Sequence, residues 1–142
     1  MKRLFIVTGF VFLNFIQSWA APGPVETNVF WSGDVSPTNP PTWTDVSTTG
    51  YIGNSGTGDL TITNGGSVSS FKGYIGYNSG STGTVTVTGA GSVWTNSGAV
   101  YVGNSGRGEL TINNGGAVSV WSGGYVGYNS GSTGIVTVTG LA

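Results

Sequence analysis

The chain has 142 residues, of which 27 are Gly and only 9 are charged, and it contains no Cys and no His. That composition excludes a thiol nucleophile, a disulfide, an imidazole base and a zinc or haem site built on the usual ligands. Gly far above the usual ~7% means a chain that turns often, and because Gly does not recur every third residue a collagen-like triple helix is excluded.

Residues 1–20 read as an export signal. Lys2 and Arg3 precede an apolar stretch from Leu4 to Ile16, which ends in Ser18-Trp19-Ala20. The stretch is short for a membrane span, and the small residues suit signal peptidase, with cleavage expected between Ala20 and Ala21. No second segment approaches spanning length. Without its leader the chain keeps Lys72 and Arg107 against Glu26, Asp34, Asp45, Asp59 and Glu109, a net charge of −3. Two separated cations cannot neutralise a row of phosphates, so nucleic acid is not an expected partner.

Residues 21–50 lack the repeat described below and hold every Pro of the chain, together with Phe30, Trp31 and Trp43. This entry segment is expected to form a first partial coil or an N-terminal cap, which a solenoid needs over its open end.

From residue 51 an internal repeat takes over. Tyr51-Ile52-Gly53-Asn54-Ser55-Gly56 returns as Tyr101-Val102-Gly103-Asn104-Ser105-Gly106, and Tyr74-Ile75-Gly76-Tyr77-Asn78-Ser79-Gly80 returns as Tyr125-Val126-Gly127-Tyr128-Asn129-Ser130-Gly131, with one residue inserted relative to the first pair. Units begin at Tyr51, Tyr74, Tyr101 and Tyr125, and the last stops at Ala142 as an incomplete copy with an unpaired edge. Each complete unit has three short extended segments: Tyr-Ile/Val-Gly, an alternation of aliphatic residues with Thr, and a segment centred on Val68, Val93 or Val118. Period-two alternation sends Leu60 and Ile62 to one side and Thr61 and Thr63 to the other. Asn-Ser-Gly, Gly-Gly and Gly-Ala-Gly form the corners.

Three strands and three corners in ~25 residues describe one coil of a parallel β-helix. The chain is therefore all-β, a β-solenoid of about four coils. Its inward columns are Ile52/Ile75/Val102/Val126, Leu60/Val85/Leu110/Val136, Ile62/Val87/Ile112/Val138 and Val68/Val93/Val118. The same turns would serve an antiparallel sandwich or barrel, but register-preserving repeats put like over like only in a solenoid.

The pattern Tyr-Ile-Gly-Asn-Ser-Gly-x-Gly-x-Leu-Thr-Ile-Thr-Asn-Gly-Gly-Ser-Val of residues 51–68, with its partner in residues 80–98, resembles the repeats of large bacterial surface and autotransporter-type passenger proteins, some of which carry a C-terminal sorting anchor. The resemblance covers residues 51–142 and, more loosely, the entry segment from Trp31 to Gly50. It implies a right-handed parallel β-helix exported to the envelope or beyond and used as a stalk or adhesive scaffold. It implies no activity, and this chain departs from the family in having neither a C-terminal β-barrel nor a sorting anchor.

The residues point to no catalytic group, no cofactor and no metal site. A polysaccharide-cleaving β-helix would need clustered carboxylates. The nearest approach is Asp59 and Glu109, at equivalent positions two coils apart and roughly 10 Å from each other. Ser55 and Ser105 have no base to activate them. Thr61/Thr63, Thr86/Thr88 and Thr137/Thr139 would form an outward double file like the Thr-x-Thr ladders of β-solenoid antifreeze proteins, broken in the third coil at Asn113. Tyr51, Tyr74, Tyr101 and Tyr125 form an outer aromatic row, with Phe71, Trp94 and Trp121 near a following corner. Such rows either stack on sugar rings and partners or stabilise the stack by themselves. Asn54, Asn78, Asn104 and Asn129 read as an amide ladder. The expected function is a secreted, non-catalytic structural or adhesive module of the bacterial exterior, with surface glycans or other copies of the repeat as partners; the alternatives are a carbohydrate-binding or carbohydrate-active β-helix and an ice-binding protein.

Overall fold

The structure is a computed structural model that describes residues 28–44 and 46–140. The expected leader, its cleavage site, Glu26 and Asp45 lie outside the described residues. Thirteen strands and one short 3-10 turn, Pro40–Thr42, occur among them. They are β1 (Val29–Gly33), β2 (Val35–Ser36), β3 (Thr49–Ile52), β4 (Thr57–Ile62), β5 (Ser67–Ser70), β6 (Lys72–Ile75), β7 (Thr82–Thr88), β8 (Val93–Asn96), β9 (Ala99–Val102), β10 (Arg107–Asn113), β11 (Ala117–Val120), β12 (Gly123–Val126) and β13 (Thr133–Val138).

From β3 onward the chain winds as a parallel β-solenoid of about four turns. Each of the first three turns lays one strand on each of three sheets and the fourth adds β12 and β13, the sheets being ordered β1-β4-β7-β10-β13, β11-β8-β5 and β12-β9-β6-β3-β2. Like residues stack on like. Ile52, Ile75, Val102 and Val126 are in register. So are Leu60, Val85, Leu110 and Val136, and Ile62, Val87, Ile112 and Val138. In these columns the residues of the first two coils are fully buried, so the core is a stack of branched side chains with few polar atoms.

The corners stack as well. Gly76, Gly103 and Gly127 donate their backbone N–H to the carbonyls of Ile52, Ile75 and Val102 at 2.8–2.9 Å. Gly76 shows why this corner requires glycine: its φ is +72°, and a Cβ there would overlap the Arg107 carbonyl of the next coil.

The fourth column departs from expectation. Val68 and Val118 are in register with Trp94, not with Val93, which lies between Ser67 and Ala117. The second coil carries one extra residue in its corner: six positions separate Ile62 from Val68 and Ile112 from Val118, whereas the sixth after Val87 is Val93 and the seventh is Trp94. A one-residue offset exchanges the two faces of a strand. Trp94 is therefore wholly buried, with its Nε1 donating to Ser70 Oγ at 3.1 Å, and Ser70 in turn donating to Asn96 Oδ1 at 2.6 Å.

Residues 28–44 lie over the first coil in the opposite direction. β1 runs antiparallel to β4 with Val29 opposite Ile62, and β2 antiparallel to β3 with Val35 opposite Ile52. The 3-10 turn packs on β5. Trp43 is buried against Gly50, and its Nε1 donates to the Pro37 carbonyl at 2.9 Å. All three faces of the first coil thus receive a covering element.

Candidate functional site

The surface is organised in columns, because the register that aligns the core also aligns the outward residues. On the β3-β6-β9-β12 sheet, Tyr51, Tyr74, Tyr101 and Tyr125 stack with ring centroids 5.4, 4.7 and 4.7 Å apart and nearly parallel planes. Sequence reasoning missed two further members. Tyr77 stands edge-on to Tyr51 and Tyr74 at 4.9 and 4.8 Å, and Tyr128 edge-on to Tyr101 and Tyr125 at 5.0 and 5.2 Å. The signal for them was present: Tyr77 and Tyr128 are the residues by which these corners exceed Gly53-Asn54 and Gly103-Asn104. The faces of Tyr74 and Tyr101 are covered by neighbouring rings. Burial, and then the neighbouring phenols, push the Tyr51, Tyr74 and Tyr101 hydroxyls above their ordinary pKa.

Trp94 does not belong to this surface; its indole is in the core, for the register reason given above. Trp121, by contrast, is 81% exposed, and Phe71 is exposed at the corner following β5.

On the largest sheet, Thr61, Thr86, Thr111 and Thr137 form one unbroken rank in register. The second rank holds Asn113 beside Thr88, so the file is double only in part. Thr63 and Thr139 continue that rank at its two ends by backbone N–H bonds to Asn28 and Ile112.

Asp59, Thr84, Glu109 and Ile135 form the neighbouring column, so Thr84 separates the two carboxylates. Glu109 is ion-paired to Arg107, and both side chains are substantially exposed. Among the described residues no group of three or more His, Cys, Asp or Glu converges to hold a metal ion. A shallow hollow of about 140 Å³ lies beside Asp59, walled by Phe30, Trp31, Ser32 and Thr61.

The corner amides form a mixed network instead of a simple ladder. Asn78 Nδ2 reaches Asn54 Oδ1 at 3.4 Å and Ser55 Oγ at 3.3 Å, Asn104 Nδ2 reaches the Tyr77 carbonyl at 3.1 Å, and Asn129 Nδ2 reaches Ser105 Oγ at 2.9 Å. The inserted Tyr is the cause, since the N–H of Tyr77 takes the Gly53 carbonyl just as the N–H of Asn104 takes that of Gly76. Asp34 enters this corner network unannounced by the repeat: its carboxylate accepts the backbone N–H of Ser55 and Gly56 at 2.6 and 2.7 Å. Those two bonds hold its carboxyl below the usual carboxylate range.

Compared with known proteins, the chain matches no family model, no curated protein and no solved structure. The solenoid implied by the sequence resemblance is present in the structure; the link to surface and passenger proteins rests on the repeat motifs alone. No helix among the described residues is long and apolar enough to cross a membrane.

Proposed function

We propose that the chain is an exported, non-catalytic structural or adhesive module of the bacterial exterior. The observation that carries this reading is the like-over-like register, which presents Tyr and Thr positions in columns one strand spacing apart. A weak contact made by one coil is thereby offered again by the next, and repeated weak contacts gain avidity when copies are clustered. The dispersed acids, with Glu109 already paired to Arg107, support a scaffold over a hydrolytic centre. Export is supported by Lys2, Arg3 and the apolar run to Ile16, with processing between Ala20 and Ala21. The test is retention of the purified chain, monomeric and clustered on beads, by bacterial cell surfaces, glycan arrays and matrix preparations. Retention that rises with clustering is expected; absence of retention in both forms overturns the adhesive role.

Carbohydrate binding is the second reading, and the hollow beside Asp59 favours it. Phe30 is 54% exposed there, next to a carboxylate and the hydroxyls of Ser32 and Thr61. Aromatic faces with adjacent polar groups suit sugar rings. Phe30→Ala should then lower glycan retention without altering the melt, while an unchanged array profile would dismiss this hollow.

A further inference from the structure

The solenoid is closed at one end and open at the other. Val102 and Leu110 are 3% and 5% exposed, whereas one coil further Val126, Val136 and Val138 are 56%, 41% and 69% exposed. Between these layers lies a hollow of about 310 Å³ whose lining is aliphatic apart from Gly124 and Tyr125.

Three observations indicate what this end receives. The first is its sequence. Residues 125–140 repeat residues 74–89 except for Val126 in place of Ile75 and Ile135 in place of Thr84. The corresponding face of β6 and β7 is covered in the structure by another coil of the same repeat, through β9 and β10. The open end is thus a copy of a face already seen to bind a repeat coil. The second is charge: no Asp, Glu, Lys or Arg follows Glu109. No charged side chain on β11, β12 or β13 repels a second copy, and these strands have none of the charges or prolines that blunt exposed edges. The third is the other end of the molecule. β1, β2 and Trp43 already cover it, so the C-terminal end is what a second copy has to offer. The antiparallel β1–β4 pair also shows that an edge of this sheet accepts a reversed strand while its inward residues, Val29 and Ile62, stay inward.

We infer that two copies of this chain associate through their C-terminal ends, with β13 pairing antiparallel to β13 of the second copy about a two-fold axis. Period-two alternation keeps Val136 and Val138 of both copies on the inner side, over the two hollows. The contact uses the same surface on both partners, so it closes at two and does not propagate. The inference goes beyond the module reading, because its readout is mass and not ligand retention.

The test is sedimentation velocity on the full chain across the micromolar range. A reversible monomer–dimer equilibrium without larger species is expected. Val136→Lys together with Val138→Lys should weaken association at least about tenfold, about 1.4 kcal/mol, while circular dichroism shows the β signal retained. Independently, Ile135→Cys/Thr137→Cys in a chain that has no Cys places thiols on the outward side of β13. Mild oxidation should then yield a covalent dimer. A monomer at every concentration, an open-ended series of larger species, or a dimer that gives no cross-link would each overturn the inference.

Discussion

The indole of Trp94 on β8 lies directly against Gly73 on β6, where a Cβ would stand 2.5 Å from Cζ2. Trp43 stands against Gly50 in the same way one coil earlier, and Gly50 and Gly73 are register partners. Each large ring is accommodated by the absence of a side chain on the facing strand. Gly73→Ala is therefore expected to destabilise by about 1–3 kcal/mol through overpacking, and Trp94→Ala by about 3–5 kcal/mol through the cavity it leaves. Thermal melts of the two variants check this. Equal, negligible shifts would mean that the ring is not wedged there.

Asp34 ties the covering segment to the first corner, and its carboxylate accepts from Ser55 and Gly56 more strongly when ionised. A carboxyl held low in the folded state binds fewer protons than in the unfolded chain, so its stabilisation is complete above the unfolded pKa of about 3.9 and fades as pH falls through the lower folded value. Stability measured by urea titration should drop in that acidic window. Asp34→Asn should flatten this part of the profile.

The tyrosine stack titrates in the opposite sense. Tyr74 meets Tyr51, Tyr101 and Tyr77, three ring contacts worth about 0.5–1.5 kcal/mol each beyond burial, whereas Tyr125 meets Tyr101 and Tyr128. Tyr74→Ala should lower the melting temperature more than Tyr125→Ala. Because burial raises the phenols of Tyr51, Tyr74 and Tyr101, the folded chain holds protons that the unfolded chain releases above a pH of about 10, and stability should decline as pH rises beyond that point. Ultraviolet titration of ionising phenolate alongside the far-ultraviolet signal follows both events.

The Arg107–Glu109 pair bridges two exposed side chains within one strand. Exposed pairs contribute about 0–1 kcal/mol, so Glu109→Gln should leave the melt nearly unchanged and the small difference should vanish in high salt. A large loss would assign Glu109 a role that the geometry does not show.

Much of this architecture was legible in the chain. Tyr51-Ile52-Gly53 and its three copies, with Leu60-Thr61-Ile62 and theirs, dictate three inward columns, because a residue period of two and a repeat of ~25 leave only stacked parallel strands to bury every aliphatic at once. Local spacing sufficed for these. It did not suffice for Trp94, which exchanged places with Val93 because one corner residue more or less inverts a strand, and only the neighbouring Gly73 shows which face has room for an indole. Nor did it place Tyr77 and Tyr128, each of which meets a ring of another coil, or Asp34, which reaches from the reversed entry segment to the first corner. Composition and periodicity thus determined the strands, the coil and the identity of most of the core. The packing of one coil on the next decided which aromatic rings are buried, which are spent on one another, and which end of the molecule stays open, because those outcomes depend on contacts between residues far apart in the chain.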